Sequence, residues 1–210
     1  MNTAGHPPLV GLLLAAGRGS RFSAAAVESE RDRADWGHCK LLAQMANGDP
    51  VCVASARALA ASVDRVIALI PSIDDAPWAD GLGAVLAIQG CIVLPCPSAR
   101  LGMGHSIAAG VMASSAAAGW LVLPADMPWV SIDSCHKVAD TLAMGATIAA
   151  PVYQDRRGHP VGFSRDCRAD LLKLEGDHGA RSLLLSYPVT EVPVEDAGVL
   201  RDIDLPTDLE

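Results

Sequence analysis

Residues 9–21, with the sequence LVGLLLAAGRGSR, decide the expected fold of this chain of 210 residues. An apolar run followed by Ala-Ala-Gly-Arg-Gly-Ser is typical of a buried strand that leads into a glycine loop, because small residues let backbone N–H groups converge on one point. Converging amides bind phosphate oxygens, and Arg18, Arg21 and Lys40 would neutralise the charge of such an anion. A plain turn between a core strand and a helix explains an isolated G-x-G equally well.

The glycine loop does not match two common phosphate-binding motifs. It lacks the G-K-[ST] ending of a P-loop, and Phe22 stands where a GxGxxG motif needs its third glycine. The stretch resembles instead the LAAGxGxR…K signature of nucleotidyltransferases that activate a cofactor or a sugar phosphate with a nucleoside triphosphate. The resemblance implies that Arg21 and Lys40 hold the triphosphate. It also implies a nucleotide-binding loop made of Leu14, Ala15, Ala16, Gly17, Arg18 and Gly19.

Composition and charge limit the possible partners. A formal net charge of -8 and an isoelectric point near 5.1 argue against a nucleic-acid or anionic-membrane surface, where clustered basic residues are expected. The partner is therefore expected to be a small molecule. An anionic nucleotide would need local positive charge and a metal ion, because the overall field of the protein opposes it.

The length and the residue balance suit a single α/β domain over residues 1–210. Half of the residues are hydrophobic but only 4% are aromatic, and glycine and proline are frequent, which favours close packing of strands and helices with tight loops. The expected fold is a Rossmann-like, open, mainly parallel sheet in three α/β/α layers. The resemblance adds that this fold is of the nucleotide-diphospho-sugar transferase type.

The cysteine pattern and the hydropathy point to a cytoplasmic protein. Six cysteines are scattered without a C-x-x-C pair, so neither a zinc knuckle nor a disulfide framework is indicated. No stretch is long and apolar enough to span a membrane. No lysine or arginine precedes the first apolar run, which argues against a signal peptide.

The order of patterns along the chain predicts where the glycine loop lies. Residues 51–61 have helical spacing and residues 66–70 form a second apolar run, so that strand, loop, helix and strand make a βαβ unit. A right-handed crossover places the loop at the carboxyl edge of the sheet, where ligands of open α/β folds bind. The polar segment 23–38 is predicted to be a mobile loop, because it cannot bury enough apolar surface to become ordered.

A second glycine stretch, LGMGHS at residues 101–106, precedes a helical run. An ordinary loop with Ser106 as the helix cap is one interpretation, and a ligand-binding loop is the other. Related cytidylyl- and guanylyltransferases have a comparable GMxxS stretch where the nucleobase is bound. This resemblance implies that Met103, Gly104 and Ser106 contact the base.

A third motif is the stretch GWLVLPADMPWV at residues 119–130, which predicts a strand buried on both faces that ends before Asp126. Asp126 lies between two prolines, and a rigid carboxylate at the carboxyl edge of a sheet suits Mg²⁺, which prefers hard oxygen ligands. A helix cap or a turn is the alternative role. The stretch is similar to the D-M-P motif of molybdenum-cofactor nucleotidyltransferases, in which the aspartate holds the magnesium ion that bridges the triphosphate.

Three later motifs extend the resemblance over nearly the whole chain. GHPVGF contains His159, GDHGAR contains Asp177 and Arg181, and DIDLPTDL contains Asp204. The resemblance implies that His159, Asp177 and Arg181 bind the acceptor and that Asp204 is a second carboxylate beside the metal. From the residues alone, a structural histidine and a solvated turn explain the first two motifs equally well.

The ordered set of motifs identifies the sequence as a member of the molybdenum-cofactor nucleotidyltransferases. It implies transfer of CMP from CTP, with Mg²⁺, to the phosphate of molybdopterin, for a recipient such as a molybdenum hydroxylase. The catalytic residues would be Arg21, Lys40 and Asp126. Alternatives are transfer from GTP, a sugar-phosphate acceptor, or a non-catalytic carrier of the cofactor, and the long segment between Arg21 and Lys40 favours the carrier.

Overall fold

The computed structural model of the protein describes residues 7–17, Phe22 and residues 39–209. The predicted loop residues Arg18, Gly19 and Arg21 and the predicted mobile segment 23–38 lie outside these described residues. Within the described part the chain alternates strands and helices from Leu9 onwards.

The strands of the described residues form one sheet of eight. They are β1 (Leu9–Leu14), β2 (Arg65–Ile70), β3 (Ile92–Pro95), β4 (Gly119–Pro124), β5 (Ile148–Tyr153), β6 (Arg156–Arg157), β7 (Val161–Ser164) and β8 (Val189–Pro193). The α-helices are α1 (Val51–Ala60), α2 (Ala79–Ile88), α3 (Met103–Ala113), α4 (Ile132–Ala143), α5 (Arg168–Leu171) and α6 (Arg181–Ser186). Short 3₁₀ helices cover Lys40–Leu42, Pro97–Leu101, Arg165–Cys167, Ala197–Leu200 and Pro206–Leu209.

The sheet combines a parallel part with an antiparallel insertion. Strands β3, β2, β1 and β4 are parallel neighbours in that order, and β7 pairs antiparallel with β4. Strand β5 pairs antiparallel with β7 and β6 and parallel with β8. Because most of the pairings are parallel and helices cover both faces, the predicted open α/β sheet is confirmed.

The two faces of the sheet bury separate apolar clusters. Successive residues of β1 point to opposite faces, as the pleat of a strand requires. Leu13 belongs to one cluster with Leu82 of α2 and Cys135 of α4. Leu12 belongs to the other cluster, with Ile107 of α3. The first strand is therefore the centre of both layers of the core.

Two glycines allow helices to approach β1 closely. A Cβ atom on Gly11 would lie 2.7 Å from the Leu59 side chain of α1, and a Cβ atom on Gly110 of α3 would lie 2.7 Å from the Leu12 side chain. Both distances are shorter than van der Waals contact, so a larger residue at either position would push the helix away from the sheet.

Helix α2 differs from the sequence-based expectation. The pattern over residues 74–90 predicts a helix broken by Gly81 and Gly83, but α2 continues through both glycines. Burial compensates for their low helix propensity, because Leu82 and Leu86 are fully buried and Gly83 lets α2 pack against Ile70. None of the helices in the described ranges is long and apolar enough to cross a membrane.

The region after β4 also contains features that the sequence did not predict. Residues 165–171 form only the 3₁₀ turn Arg165–Cys167 and the single turn of α5. The strands β7 and β8 are present as partners of β5. Helix α4 is capped by Ser131, whose side chain accepts a hydrogen bond from the Ser134 N–H.

Candidate active site

The loops that follow β1 and β4 lie next to each other at the carboxyl edge of the sheet. Leu14 is the register partner of Pro124, and the Ala125 N–H donates to the Leu14 carbonyl at 3.0 Å. As a result, Gly17 and Asp126 line the same cavity, which has a volume of about 340 Å³. The described start of the glycine loop, at Gly17, and the predicted metal carboxylate are therefore brought together at the carboxyl edge of the sheet.

Asp126 stands on a backbone that distant segments hold in place. The carbonyl before it, that of Ala125, accepts a 3.0 Å hydrogen bond from the Ser55 hydroxyl of α1. Its own carbonyl accepts a 2.9 Å hydrogen bond from the Ile203 N–H of the C-terminal segment. These long-range bonds add to the stiffness that the flanking prolines supply, so the Asp126 carboxylate has a fixed position.

Lys40 meets Asp126 at this position. Its ammonium Nζ lies 2.6 Å from Asp126 Oδ2 and 2.8 Å from the Ile203 carbonyl oxygen, to both of which it donates. The same Nζ lies 3.9 Å from Asp204 Oδ1. The Lys40 side chain is only 11% exposed and that of Asp126 is 20% exposed. A largely buried cation is thus surrounded by three oxygens, two of them from predicted metal-side carboxylates.

The donor set around Lys40 Nζ fits a hard divalent cation in its chemistry. Carboxylate and carbonyl oxygens are the ligands that Mg²⁺ prefers, and Mg²⁺ usually completes its shell with water and substrate phosphates. Among the residues that the structure describes, no three His, Cys, Asp or Glu side chains converge to hold a metal by themselves. A metal here would therefore need oxygens from a bound substrate as well as Asp126 and Asp204.

Asp202 extends the negative field of this site. Partial desolvation, together with the charges of Asp126 and Asp204, raises the pKa of its carboxyl above the usual value. Asp202 and Asp204, the two carboxylates that flank Ile203, therefore add negative charge close to Asp126. Such a field attracts a cation and repels an unpaired anion.

A second cavity opens on the other side of Asp126, with a volume of about 530 Å³. It contains all three predicted acceptor residues, His159, Asp177 and Arg181. The first cavity contains Ala16, Gly17, Met103 and Ser106 from the predicted nucleotide-binding set, together with Arg100. The residues that line both cavities are Leu14, Met103, Pro124, Asp126 and Asp177.

The start of α3, with Gly102 before it, and the loop 175–177 are packed backbone to backbone. Gly102 has φ +126°, and a Cβ atom there would lie 2.2 Å from the carbonyl carbon of Gly176. The Gly104 N–H donates to the Gly176 carbonyl at 2.9 Å, and the Gly176 N–H donates to His105 Nδ1 at 3.3 Å. We predict that Gly104 contacts the base, but its backbone N–H is already used in a hydrogen bond within the protein. This bond ties the start of α3 to Gly176.

His159 is placed on the wall of the second cavity. Its backbone N–H donates to the Val199 carbonyl at 2.9 Å, and Gly158 before it leaves no room for a Cβ against that carbonyl. Desolvation lowers the pKa of the imidazole, and the nearby Asp126 charge opposes this shift only in part. At neutral pH the ring is therefore uncharged and can act as a hydrogen-bond donor or acceptor.

The structure places the remaining predicted residues in three groups. Leu14, Ala16 and Gly17 lie at the first cavity, whereas Ala15 is fully buried and donates its N–H to the Leu69 carbonyl. Arg18, Gly19 and Arg21 lie outside the described residues. The binding and catalytic roles of all these residues stay predictions.

The sequence did not reveal the role of Asp196, which fixes the segment that follows Asp126. Asp196 accepts hydrogen bonds from the Ser131 N–H, the Ser134 hydroxyl and the Gly198 N–H, at 2.8 to 2.9 Å. A Cβ on Gly198 would lie 2.0 Å from the Trp129 carbonyl oxygen. No local pattern signals this role, since the carboxylate and its serine partners are more than 60 residues apart.

The chain is similar to known proteins in both sequence and fold. The family model described as a MobA-like NTP transferase domain matches residues 11–192. The purine catabolism protein PucB of Bacillus subtilis (strain 168) is 33% identical over 120 residues, which is 55% of this chain and 58% of PucB. The chain therefore matches a little over half of the length of that curated relative.

Solved structures share the fold over almost the whole chain. Rv0371c from Mycobacterium tuberculosis H37Rv is 25% identical with a TM-score of 0.76, covering 97% of this chain and 96% of its own. A nucleotidyl transferase from Methanothermobacter thermautotroptrophicus, Mth528, is 23% identical with a TM-score of 0.78, covering 97% and 94%. Molybdopterin-guanine dinucleotide biosynthesis protein A from Archaeoglobus fulgidus is 14% identical with a TM-score of 0.64, covering 96% and 94%. Rv0371c has also been solved in complex with manganese.

Proposed function

Because the chain belongs to the MobA-like NTP transferase family and is a nucleotidyltransferase, we propose that it transfers CMP from CTP to a molybdopterin-type acceptor. The acceptor phosphate forms a bond to the α-phosphorus of CTP, and the bond from that phosphorus to the bridging oxygen breaks. Pyrophosphate leaves with the electron pair of the broken bond. The products are the cytidine dinucleotide of the cofactor and pyrophosphate.

The observation that carries the proposal is the position of Asp126 between the two cavities. Ala16, Gly17 and Ser106 of the predicted nucleotide-side set line only the first cavity, and the predicted acceptor residues His159 and Arg181 line only the second. Asp126 lines both cavities, together with Met103 from the nucleotide side and Asp177 from the acceptor side. Nucleotidyl transfer needs two phosphates to meet at one point with their charges neutralised. The junction of the two cavities is a place where a triphosphate and an acceptor phosphate can do so.

The residues at the junction would act by positioning and by charge. An acceptor phosphate is already ionised at neutral pH, so the reaction requires no protein base, and the uncharged His159 suits a hydrogen-bonding role. Arg181 lies in the second cavity, where its guanidinium would bind the acceptor phosphate. Lys40 would hold the triphosphate together with Arg18 and Arg21 of the glycine loop.

Mg²⁺ would neutralise charge on the triphosphate when bound, and Asp126 with Asp204 would hold it. The oxygens around Lys40 Nζ support this assignment, as does the manganese complex of Rv0371c for divalent metals in general. The GHPVGF and GDHGAR motifs, which resemble those of molybdenum-cofactor nucleotidyltransferases, support an acceptor of the molybdopterin type, delivered to an oxidoreductase such as a molybdenum hydroxylase.

The proposal is tested with the full chain, Mg²⁺, molybdopterin and each of the four ribonucleoside triphosphates, by following pyrophosphate release. We expect release with CTP that depends on molybdopterin. Preference for GTP would replace cytidylyl transfer by guanylyl transfer, and turnover with sugar phosphates alone would replace the acceptor. Binding of molybdopterin without pyrophosphate release from any triphosphate would overturn the enzyme in favour of a carrier.

A further inference from the structure

Lys40 occupies an unusual place for a residue that is expected to bind a triphosphate. It begins the 3₁₀ helix Lys40–Leu42, which Leu41 and Leu42 anchor in the core with exposures of 4% and 3%. The ammonium is directed at Asp126 and the Ile203 carbonyl, both within hydrogen-bond distance. In this arrangement the lysine holds the oxygens that a metal would need.

We propose that Lys40 is a resident cation that occupies the metal position of the free protein and leaves it for the triphosphate when the metal and nucleotide arrive. This inference rests on the proposed function, since it takes Asp126 as a metal-binding carboxylate. It assigns Lys40 two successive partners instead of one. In the free state the partners are Asp126, Asp204 and the Ile203 carbonyl, and in the loaded state the partner is the triphosphate.

The electrostatics of the site require such an exchange. A divalent cation and an ammonium cannot both lie against Asp126 Oδ2, because like charges at that distance in a largely buried site repel strongly. A metal that binds Oδ2 without nucleotide therefore displaces Lys40 and leaves the lysine charge without its carboxylate partner. A metal that arrives with a triphosphate brings the replacement partner for Lys40. Metal and nucleotide binding are thereby coupled, so each strengthens the other.

The exchange has a functional consequence. With a net charge of -8 the protein would otherwise collect divalent cations at the carboxylates of Asp126 and Asp204. A lysine in that place keeps the carboxylates neutralised until a triphosphate is present. The site would then assemble only around a metal–nucleotide complex.

If the Lys40–Asp126 salt bridge is purely structural, a different effect on the affinity for a metal is expected. If Lys40 only tied Asp126 to the C-terminal segment, its removal would let Ile203 and Asp204 move away, and metal binding would stay the same or weaken. If Lys40 competes with the metal, its removal uncovers the carboxylates and metal binding becomes tighter. The two roles therefore differ in the sign of the effect on the affinity for a metal alone.

The test measures binding of Mn²⁺ alone to the nucleotide-free full chain, by the electron paramagnetic resonance signal of free Mn²⁺. We expect Lys40→Met, which keeps the length and removes the charge, to bind Mn²⁺ about tenfold more tightly than the parent. Lys137→Met is the matched control, since Lys137 pairs with Asp133 on the exposed side of α4 at 2.8 Å. The control should bind Mn²⁺ as the parent does. Unchanged or weaker binding by Lys40→Met would overturn the proposal.

A second measurement needs no variant, because the chain has three lysines, Lys40, Lys137 and Lys173. Acetylation with a limiting amount of an amine-reactive reagent, followed by mass spectrometry, reports the exposure of each lysine side chain. Mn²⁺ alone at a saturating concentration should increase labelling of Lys40 relative to the other two. An unchanged or reduced ratio contradicts displacement. Pyrophosphate release by the parent is measured separately, so failure of the exchange is distinguishable from failure of the nucleotidyltransferase proposal.

Discussion

The loop that carries Asp126 and the loop that carries Asp177 border the same two cavities but are held by different forces. Around Asp126, side chains and backbone groups from α1, the segment at Lys40 and the C-terminal segment converge in long-range hydrogen bonds. Around Asp177, the contacts are backbone against backbone, made possible by glycines at positions 102 and 104. The first region has buried, compensated charge, and the second leaves Asp177 exposed.

We propose that the Asp126 region serves the chemical step and that the Asp177 region serves substrate recognition. A group that must stand at a fixed point relative to two phosphates benefits from several independent anchors. A loop that binds a substrate can rely on shape, because its exposed side chains adjust to the ligand. Activity should then depend on the anchored Asp126 side, and the stability of the Asp177 side should depend on its glycines.

The largest effect is expected from Asp126→Asn on the anchored side. The change keeps the shape of the side chain but removes the charge that would hold the metal, so transition-state stabilisation should decrease by several kcal/mol. The rate of pyrophosphate release at saturating Mg²⁺ should fall on the order of a hundredfold or more. Asp133→Asn, an exposed carboxylate on α4, is the control. A folded Asp126→Asn protein with a rate within about threefold of the parent would refute the metal-ligand role.

A smaller effect is expected from Gly102→Ala on the glycine-packed side. The new Cβ meets both an unfavourable φ of +126° and the backbone of Gly176 at 2.2 Å, which should cost about 3 kcal/mol of unfolding free energy. Gly90→Ala separates the two causes, because Gly90 has φ +81° but nothing within 4 Å of its Cβ position. It should cost about 1 kcal/mol. Urea unfolding measures the unfolding free energy of both variants. Equal losses of unfolding free energy would show that the close packing of Gly102 against Gly176 does not contribute to stability.

The smallest effect concerns pH and His159. Its folded pKa is lowered below 6.5, chiefly by desolvation, so between the two values the unfolded chain binds more protons than the folded one. The unfolding free energy should therefore decrease as pH falls below about 6.5. His159→Asn should flatten this slope, whereas His178→Asn, in the exposed loop, should keep it. An unchanged slope in His159→Asn, measured by urea unfolding at each pH, would show that the imidazole does not titrate differently on folding.

Much of the site was predictable because its motifs are local. The apolar run before Ala15 and the apolar run before Asp126 each predict a strand that ends in a loop, and parallel strands bring such ends to one edge. That reasoning placed Gly17 and Asp126 together, and the structure confirms their common cavity. The hydrogen bond from the Gly104 N–H to the Gly176 carbonyl was not predictable, because that contact depends on how a distant loop packs.

The pattern of residues along the chain was enough to indicate the class of the fold, the order of strands and helices as far as β4, and that Gly17 and Asp126 lie at one edge of the sheet. These features follow from hydrophobic periodicity and from small residues at turns, which act over a few positions along the chain. The antiparallel place of β7 between β4 and β5 depends on three-dimensional packing, as does the contact of Lys40 with Asp126 and Ile203, residues 86 and 163 positions away. Periodicity shows which face of an element is buried, but the identity of its neighbour is set by the packing of the whole core.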